Sequence, residues 1–372
     1  MPAAPSEPIM RVLMLSKACI VGIYQRKLEQ IAAQGVTLRA LVPPSWRDER
    51  GEQPLERVHT QGYDLRVVPM RFNGNFHLHH YPTLAREMAD FQPQIVHIDE
   101  EPYNLATWQA LWLARRVKAR SLFFSWQNIN RRYPPPFAWG EAWVLRHVDH
   151  ALVGTSSAGD VWRAKGYTGP MTVLPQFGTD TDLFTPMPRP SRPFTVGYIG
   201  RLVEEKGLHV LLEAFAALPP DARLRIVGGG PLRAALTDQA AALDISRRVT
   251  FVPQRPSQAI LEEYRQIDVL ALPSLTRPNW KEQFGRVLVE AMACGLPVVG
   301  SSSGAVPDVI GDAGLIVPEG NAGALAEALR RLHDDAALYA ALAERGRARA
   351  VQHFTHAQIA AQTVAVYRQM LG

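Results

Sequence analysis

Short apolar runs recur along the chain, separated by longer stretches in which apolar and polar positions alternate with helical spacing. The runs Val12–Ser16, Thr37–Val42, Leu65–Pro69, Ile95–Ile98, Ser121–Ser125 and Ala151–Gly154 read as strands. Helical patterns such as Pro82–Phe91 and Leu105–Val117 fall between them. A second series follows the proline-rich stretch Pro186–Pro193, which reads as a linker: Thr195–Ile199, Arg223–Val227, Val249–Val252, Val269–Leu272, Pro297–Gly300 and Leu315–Val317. Strand alternating with helix predicts parallel sheets covered by helices on both faces, and two such series predict two doubly wound domains. Ligands of such sheets bind at the carboxyl ends of the strands, so the two domains are expected to face one another across a cleft. Ala322–Leu332 and Ala336–Val351 read as helices, followed by a last one from His356. The first eight residues hold three prolines and read as a loose tail.

Composition narrows the classes without naming one. A chain of 372 residues, 47% apolar or aromatic, is long for a single core. Cys19 and Cys294 are the only cysteines and lie far apart, which argues against a disulfide framework and for a reducing, cytoplasmic setting. The net charge of +5 is spread over both halves, too evenly for a nucleic-acid surface. No apolar run is long enough to span a bilayer. The stretch Ile9–Ile23 is interrupted by Arg11 and Lys17 and reads as a strand and loop rather than a signal sequence.

The most informative stretch is Asn279–Val299. Phe284-Gly285 opens a helix expected over Arg286–Cys294; Gly295 stops it, and a buried strand follows. A helix start preceded by glycine presents backbone N–H groups at its positive end, which suits a phosphate. Glu282 lies before this helix and Glu290 more than one turn inside it. Two carboxylates on either side of a phosphate site suit hydroxyl-rich groups flanking a diphosphate, a sugar and a ribose. On spacing alone, an amphipathic surface helix with solvated glutamates accounts for the pattern equally well. Likewise Gly228-Gly-Gly230 reads as a tight turn before a helix from Pro231 more readily than as a phosphate loop. His77, His79 and His80 match no zinc spacing and read as ordinary loop histidines.

The stretch resembles the E-x7-E segment of retaining glycosyltransferases of family 4, which have the GT-B fold of two Rossmann-like domains. Gly197–Gly207, Leu224–Pro231, Asp268–Ser274 and Val173–Phe184 resemble further segments of that family in the expected order. The resemblance is dense from about residue 150 to 318 and thin before it. It implies an acceptor-binding domain over 1–185, to which a terminal helix over 355–372 returns, and a nucleotide-sugar donor-binding domain over 186–354. It implies that Gly22, Arg201, Lys206, Gly285, Arg286 and Val287 meet the donor diphosphate, and that Phe284 borders the sugar or the phosphates. It further implies that Glu282 binds the transferred sugar and Glu290 the ribose, while the base meets Phe251–Gln254. Members of the family often carry a histidine after the fourth strand. Here the run is Val96–Pro102, and depending on register the pocket position falls on Asp99 or Glu100, with His97 pointing elsewhere. An acid there orients the acceptor hydroxyl or takes its proton; equally, it caps the next helix. Asp180-Thr-Asp182 matches a metal-binding pattern of the other large glycosyltransferase fold, but its place between the domains favours Asx turns.

The implied activity is metal-independent, retaining transfer of a sugar from a nucleotide-diphosphate sugar to a glycan, lipid-linked or small-molecule acceptor, with no cofactor besides that donor. The implied setting is cytoplasmic, free or peripheral at a membrane surface. A GT-B sugar-nucleotide epimerase and a non-catalytic sugar-nucleotide-binding subunit are the alternatives. A nicotinamide dehydrogenase is disfavoured because no three-glycine fingerprint follows the first strand.

Overall fold

The computed structural model describes residues 10–48, 51–186, 192–255 and 259–372; the expected loose tail and most of the expected proline-rich linker lie outside these. The chain divides into two compact units, Met1–Gly178 with His356–Gly372, and Thr179–Thr355. The division precedes the proline-rich stretch because Phe184 is already part of the second unit's core. Arg347 also binds this segment, donating to the carbonyls of Phe184 at 2.7 Å and Thr181 at 3.1 Å.

Unit 1 contains strands β1 (Met10–Leu15), β2 (Val36–Val42), β3 (Ser45–Asp48), β4 (Gly51–Pro54), β5 (Asp64–Val67), β6 (Ile95–Ile98), β7 (Arg120–Ser125), β8 (His150–Val153) and β9 (Met171–Val173). Seven form a parallel sheet in the order β5-β2-β1-β6-β7-β8-β9, while β3 and β4 make a separate antiparallel hairpin that the apolar pattern did not announce. The pleat sends successive side chains of β1 to opposite faces. Leu13 and Leu15 join one core with Val96, Ile98 and Phe123, whereas Val12 and Met14 join the other with Leu28, Ile31 and Leu38. The terminal helix His356–Leu371 covers this second face with Ile359, Ala360, Val364 and Tyr367. Burying each such aliphatic or aromatic side chain contributes about 1.5–3 kcal/mol, enough in sum to hold the helix on the sheet.

Unit 2 contains β10 (Thr195–Ile199), β11 (Arg223–Val227), β12 (Val249–Val252), β13 (Val269–Leu272), β14 (Val298–Ser301) and β15 (Leu315–Val317). They form one parallel sheet in the order β12-β11-β10-β13-β14-β15. The helix expected from Pro231 begins two residues later, at Arg233.

In both sheets the strand order turns back beside the first strand. After β5 the chain of unit 1 returns to place β6 beside β1; after β12 the chain of unit 2 returns to place β13 beside β10. The loops leaving the two neighbouring strands then diverge to opposite faces and leave a crevice at the strands' carboxyl ends.

Candidate functional site

At the crevice of unit 2, the loop after β10 carries Arg201 and Lys206, and the loop after β13 carries Ser274 and Glu282. The two loops are stitched together. Leu275 N–H donates to the Glu205 carbonyl at 2.8 Å. Gly207 (φ +65°) passes so close that a Cβ there would lie 2.0 Å from the Pro273 carbonyl oxygen. The buried Glu282 carboxylate accepts from Lys206 Nζ at 2.5 Å and from Ser274 Oγ at 2.7 Å. Its backbone is backed by Gly304 (φ +54°), where a Cβ would meet the Glu282 carbonyl oxygen at 2.1 Å. The Lys206 ammonium also lies 4.9 Å from the centre of the Trp280 ring. Arg201 is exposed, and its carbonyl accepts from the Tyr198 hydroxyl at 2.7 Å.

The helix expected from Arg286 runs Arg286–Ala293, with Gly285 as its N-cap and no side chain capping it. This helix start follows directly on the loop that carries Glu282, and the positive end of a helix is a place that attracts an anion. Within the helix, Glu290 accepts from Tyr264 Oη at 2.7 Å and pairs with Arg286 Nε at 2.8 Å. Phe284 is half-buried and packs edge-on against Phe354, 5.7 Å between ring centres. The triple glycine accommodates the loop after β10: a Cβ on Gly228 would lie 1.8 Å from the Gly200 carbonyl oxygen. In the segment expected to meet the base, Phe251 lies 4.4 Å beneath the Arg233 guanidinium.

The crevice of unit 1 brings together Ser16 and Lys17 after β1 with Asp99 and Glu100 after β6. Asp99 is buried, accepting from Ser16 Oγ at 2.5 Å and Gln176 Nε2 at 2.9 Å. Burial pushes its carboxyl above the usual range, against the opposing pull of Lys27. Glu100 forms an ion pair with Lys17 and lies 3.4 Å from His79 Nε2. Burial would raise its pKa, but Lys17 and His79 outweigh this and bring it down to about 2. Glu101 accepts from Ser125 Oγ at 2.6 Å and from Trp126 N–H at 2.8 Å; burial lifts it to about 7. Lys17 lies 5.5 Å from the Trp46 ring centre and 5.8 Å from that of Phe76. His79 is thus no ordinary loop histidine: it is fully buried against Trp46 and Glu100. The missed signal was the hairpin β3–β4, which carries Trp46.

His97 points away from these acids, its Nδ1 sharing a 2.6 Å hydrogen bond with Tyr367 Oη. Neither acid caps the next helix, whose N-cap is Asn104; instead Asn104 Nδ2 donates to Glu100 at 3.3 Å. Asp180 Oδ1 accepts from the N–H groups of Asp182 at 3.0 Å and Leu183 at 3.2 Å, an Asx turn. The Gly22 N–H donates to Glu56 at 2.7 Å, and a Cβ on Gly22 would lie 2.3 Å from Val58, so this amide is engaged within unit 1.

The low pKa of Glu100 sets an expected pH response. Its folded-state value lies below the unfolded one, so its stabilisation is present above about pH 4.5 and fades as the pH falls toward about 2. Chemical denaturation across that window should show a loss on the order of 3 kcal/mol from this group, absent in Glu100→Gln. An unchanged slope in the variant would exclude the Lys17–Glu100 pair as its source.

Two family models match the chain, "Glycosyl transferase 4-like domain" over residues 23–176 and "Glycosyl transferases group 1" over residues 180–349. Among curated proteins, a D-inositol 3-phosphate glycosyltransferase of Mycobacterium sp. (strain KMS) is 34% identical over 195 residues, 48% of this chain and 43% of that protein. The match thus spans less than half of the relative's length. Among solved structures, sucrose-phosphate synthase from Thermosynechococcus elongatus superposes with a TM-score of 0.71 at 24% identity, over 97% of this chain and 99% of that one. Anabaena HepE, solved in complex with UDP, gives 0.71 at 18% identity, over 97% of this chain and 100% of that one. At these identities the superpositions speak for the fold alone, and that fold is two parallel-sheet Rossmann-like units.

Proposed function

Because the chain belongs to the glycosyltransferases of family 4, with the GT-B fold, we propose that it transfers a sugar from a nucleotide-diphosphate sugar to a hydroxyl acceptor, retaining the anomeric configuration and using no metal ion. The observation that carries this reading is the meeting of Lys206, Glu282 and the uncapped start of helix Arg286–Ala293 at the crevice of unit 2. A cation, a carboxylate and a row of backbone donors in one place answer the three parts of such a donor. The diphosphate takes the Lys206 ammonium, the exposed Arg201 guanidinium and the amides at Gly285, Arg286 and Val287. The hydroxyls of the transferred sugar take Glu282, with Phe284 beside them, and those of the ribose take Glu290.

During transfer the bond from the anomeric carbon to the diphosphate oxygen breaks, and a bond to the acceptor oxygen forms on the same face. The acceptor proton goes to the departing phosphate oxygen. Negative charge grows on the leaving diphosphate, and fixed donors aimed at that position stabilise it without reorganising. Lys206, Arg201 and the helix start supply the charge that a metal supplies in other designs. The acceptor belongs to unit 1, where Asp99 and Glu100 line the crevice beside Trp46 and Phe76. Glu100, held ionised by Lys17, is a poor proton acceptor and a good anchor for a hydroxyl. Asp99, held by Ser16 and Gln176, is suited to orienting the acceptor hydroxyl whose proton passes to the phosphate. The Mycobacterium relative's name places inositol phosphate among the acceptors to be tried.

A thermal-shift screen against sugar nucleotides should single out the matched donor, because a ligand at 100 times its Kd stabilises the folded state by about 2.7 kcal/mol. With that donor and a competent acceptor, product should form in excess chelator with the donor's anomeric configuration, resolved by NMR. Activity lost to chelator and restored by manganese would overturn the metal-free reading, and an inverted product would overturn retention. Conversion of the sugar nucleotide with no acceptor present would favour an epimerase.

A further inference from the structure

Seven residues, Leu275–Lys281, lie between Ser274 and Glu282, and they form a built turn. Arg277 and Trp280 exchange backbone hydrogen bonds, N–H to carbonyl at 2.8 Å in one direction and 3.2 Å in the other. Thr276 anchors the turn to the loop after β15, its N–H and hydroxyl both donating to the Glu319 carboxylate, at 2.5 and 2.8 Å. The product of this construction is the position of one side chain. The Trp280 indole is half-buried, and its face is covered by the Lys206 ammonium, the same ammonium that bonds Glu282.

We propose that Trp280 is a specificity-determining residue, a platform on which the C–H face of the transferred hexopyranose stacks. The proposal rests on the donor-site reading given above and deepens it. The ammonium bonds Glu282 and covers the indole face, a cation over a π-system. A bound diphosphate offers Lys206 a doubly charged partner and draws it away from both. Glu282 is then available to the sugar hydroxyls, and the indole face beside it is bared. An apolar π-surface next to a carboxylate matches a pyranose, whose ring presents C–H groups on one face and hydroxyls at its edge. The turn holds the indole in place beforehand, so little ordering cost falls on binding. Sugars whose stacked face carries an axial hydroxyl fit this platform less well than those presenting an uninterrupted C–H face.

Calorimetry on the full chain tests this with the matched sugar nucleotide, its free nucleoside diphosphate, and a sugar nucleotide with the same base and an epimeric sugar. Trp280→Leu, which keeps apolar bulk without the π-face, should weaken the matched sugar nucleotide about tenfold. It should leave the nucleoside diphosphate within about twofold and narrow the gap between the two epimers. Trp280→Phe should recover most of the lost affinity. Equal weakening of both ligands in Trp280→Leu would overturn the proposal and leave Trp280 as a prop for Lys206; no weakening of either would overturn it outright. A wild-type chain that binds neither ligand would instead remove the donor site on which the proposal stands.

Discussion

Arg201→Ala and Lys206→Ala should each weaken binding of the free nucleoside diphosphate and of the sugar nucleotide by similar factors, because both proposed contacts are to phosphate. A hydrogen bond to a charged group is worth about 1.5–3 kcal/mol, which corresponds to roughly 10–150-fold in affinity for each change. The structure makes the two substitutions unequal in a second respect. Arg201 is exposed, and its removal should cost less stability than that of Lys206. Lys206 is the partner of a buried carboxylate, so Lys206→Ala leaves Glu282 with Ser274 as a remaining donor and should also lower the melting temperature. Calorimetry with the nucleoside diphosphate and a thermal melt separate the two effects. Unchanged nucleoside diphosphate binding in the double variant would take both residues out of the site.

Glu282→Ala and Glu290→Ala should divide the donor between them. Removing Glu282 deletes the proposed sugar contact and depresses kcat/KM by about 10–150-fold, the loss of one charged hydrogen bond. It also releases the Lys206 ammonium from its ion pair, so the free nucleoside diphosphate should bind as well as before or more tightly. Removing Glu290 deletes the proposed ribose contact and should weaken the free nucleoside diphosphate as well. It also leaves the buried Tyr264 hydroxyl without its carboxylate acceptor and Arg286 without its i,i+4 partner. A stability loss of about 1–3 kcal/mol should accompany it. Equal effects of the two substitutions on nucleoside diphosphate binding would refute this division.

Much of the fold was legible because its signals are local. Buried parallel strands are short apolar runs, and Thr195–Ile199, Arg223–Val227, Val249–Val252, Val269–Leu272 and Leu315–Val317 were each read with the bounds the structure has. Helix Arg286–Ala293 was legible from the glycines that bracket it, one as its cap and one past its end. Strands of weaker pattern escaped: β3 and β4 belong to a small exposed hairpin, and β9 is a three-residue edge strand. The sequence suggests a division at residues 185/186, whereas the compact units meet at Gly178/Thr179. Prolines mark a local stiffness of the chain, whereas the division depends on which core Phe184 enters.

What the sequence alone determined is therefore the order of strands and helices, the glycines that let backbones pass, and the identities of the charged residues at the strand ends. Only the tertiary structure decided which of those residues meet. Lys206 and Glu282 are 76 positions apart, and Lys17 and Glu100 are 83 apart; in each case the pair forms where two strands distant in the chain lie side by side in the sheet. His79, set aside as a loop histidine, became a neighbour of Glu100, and Trp280, unremarked in the sequence, became the cover of Lys206. Periodicity and turn chemistry act over a few residues and can be read along a line. The partner of a charge is set by the crossing of the sheet, where strand order reverses, and nothing within a few residues of either partner records it.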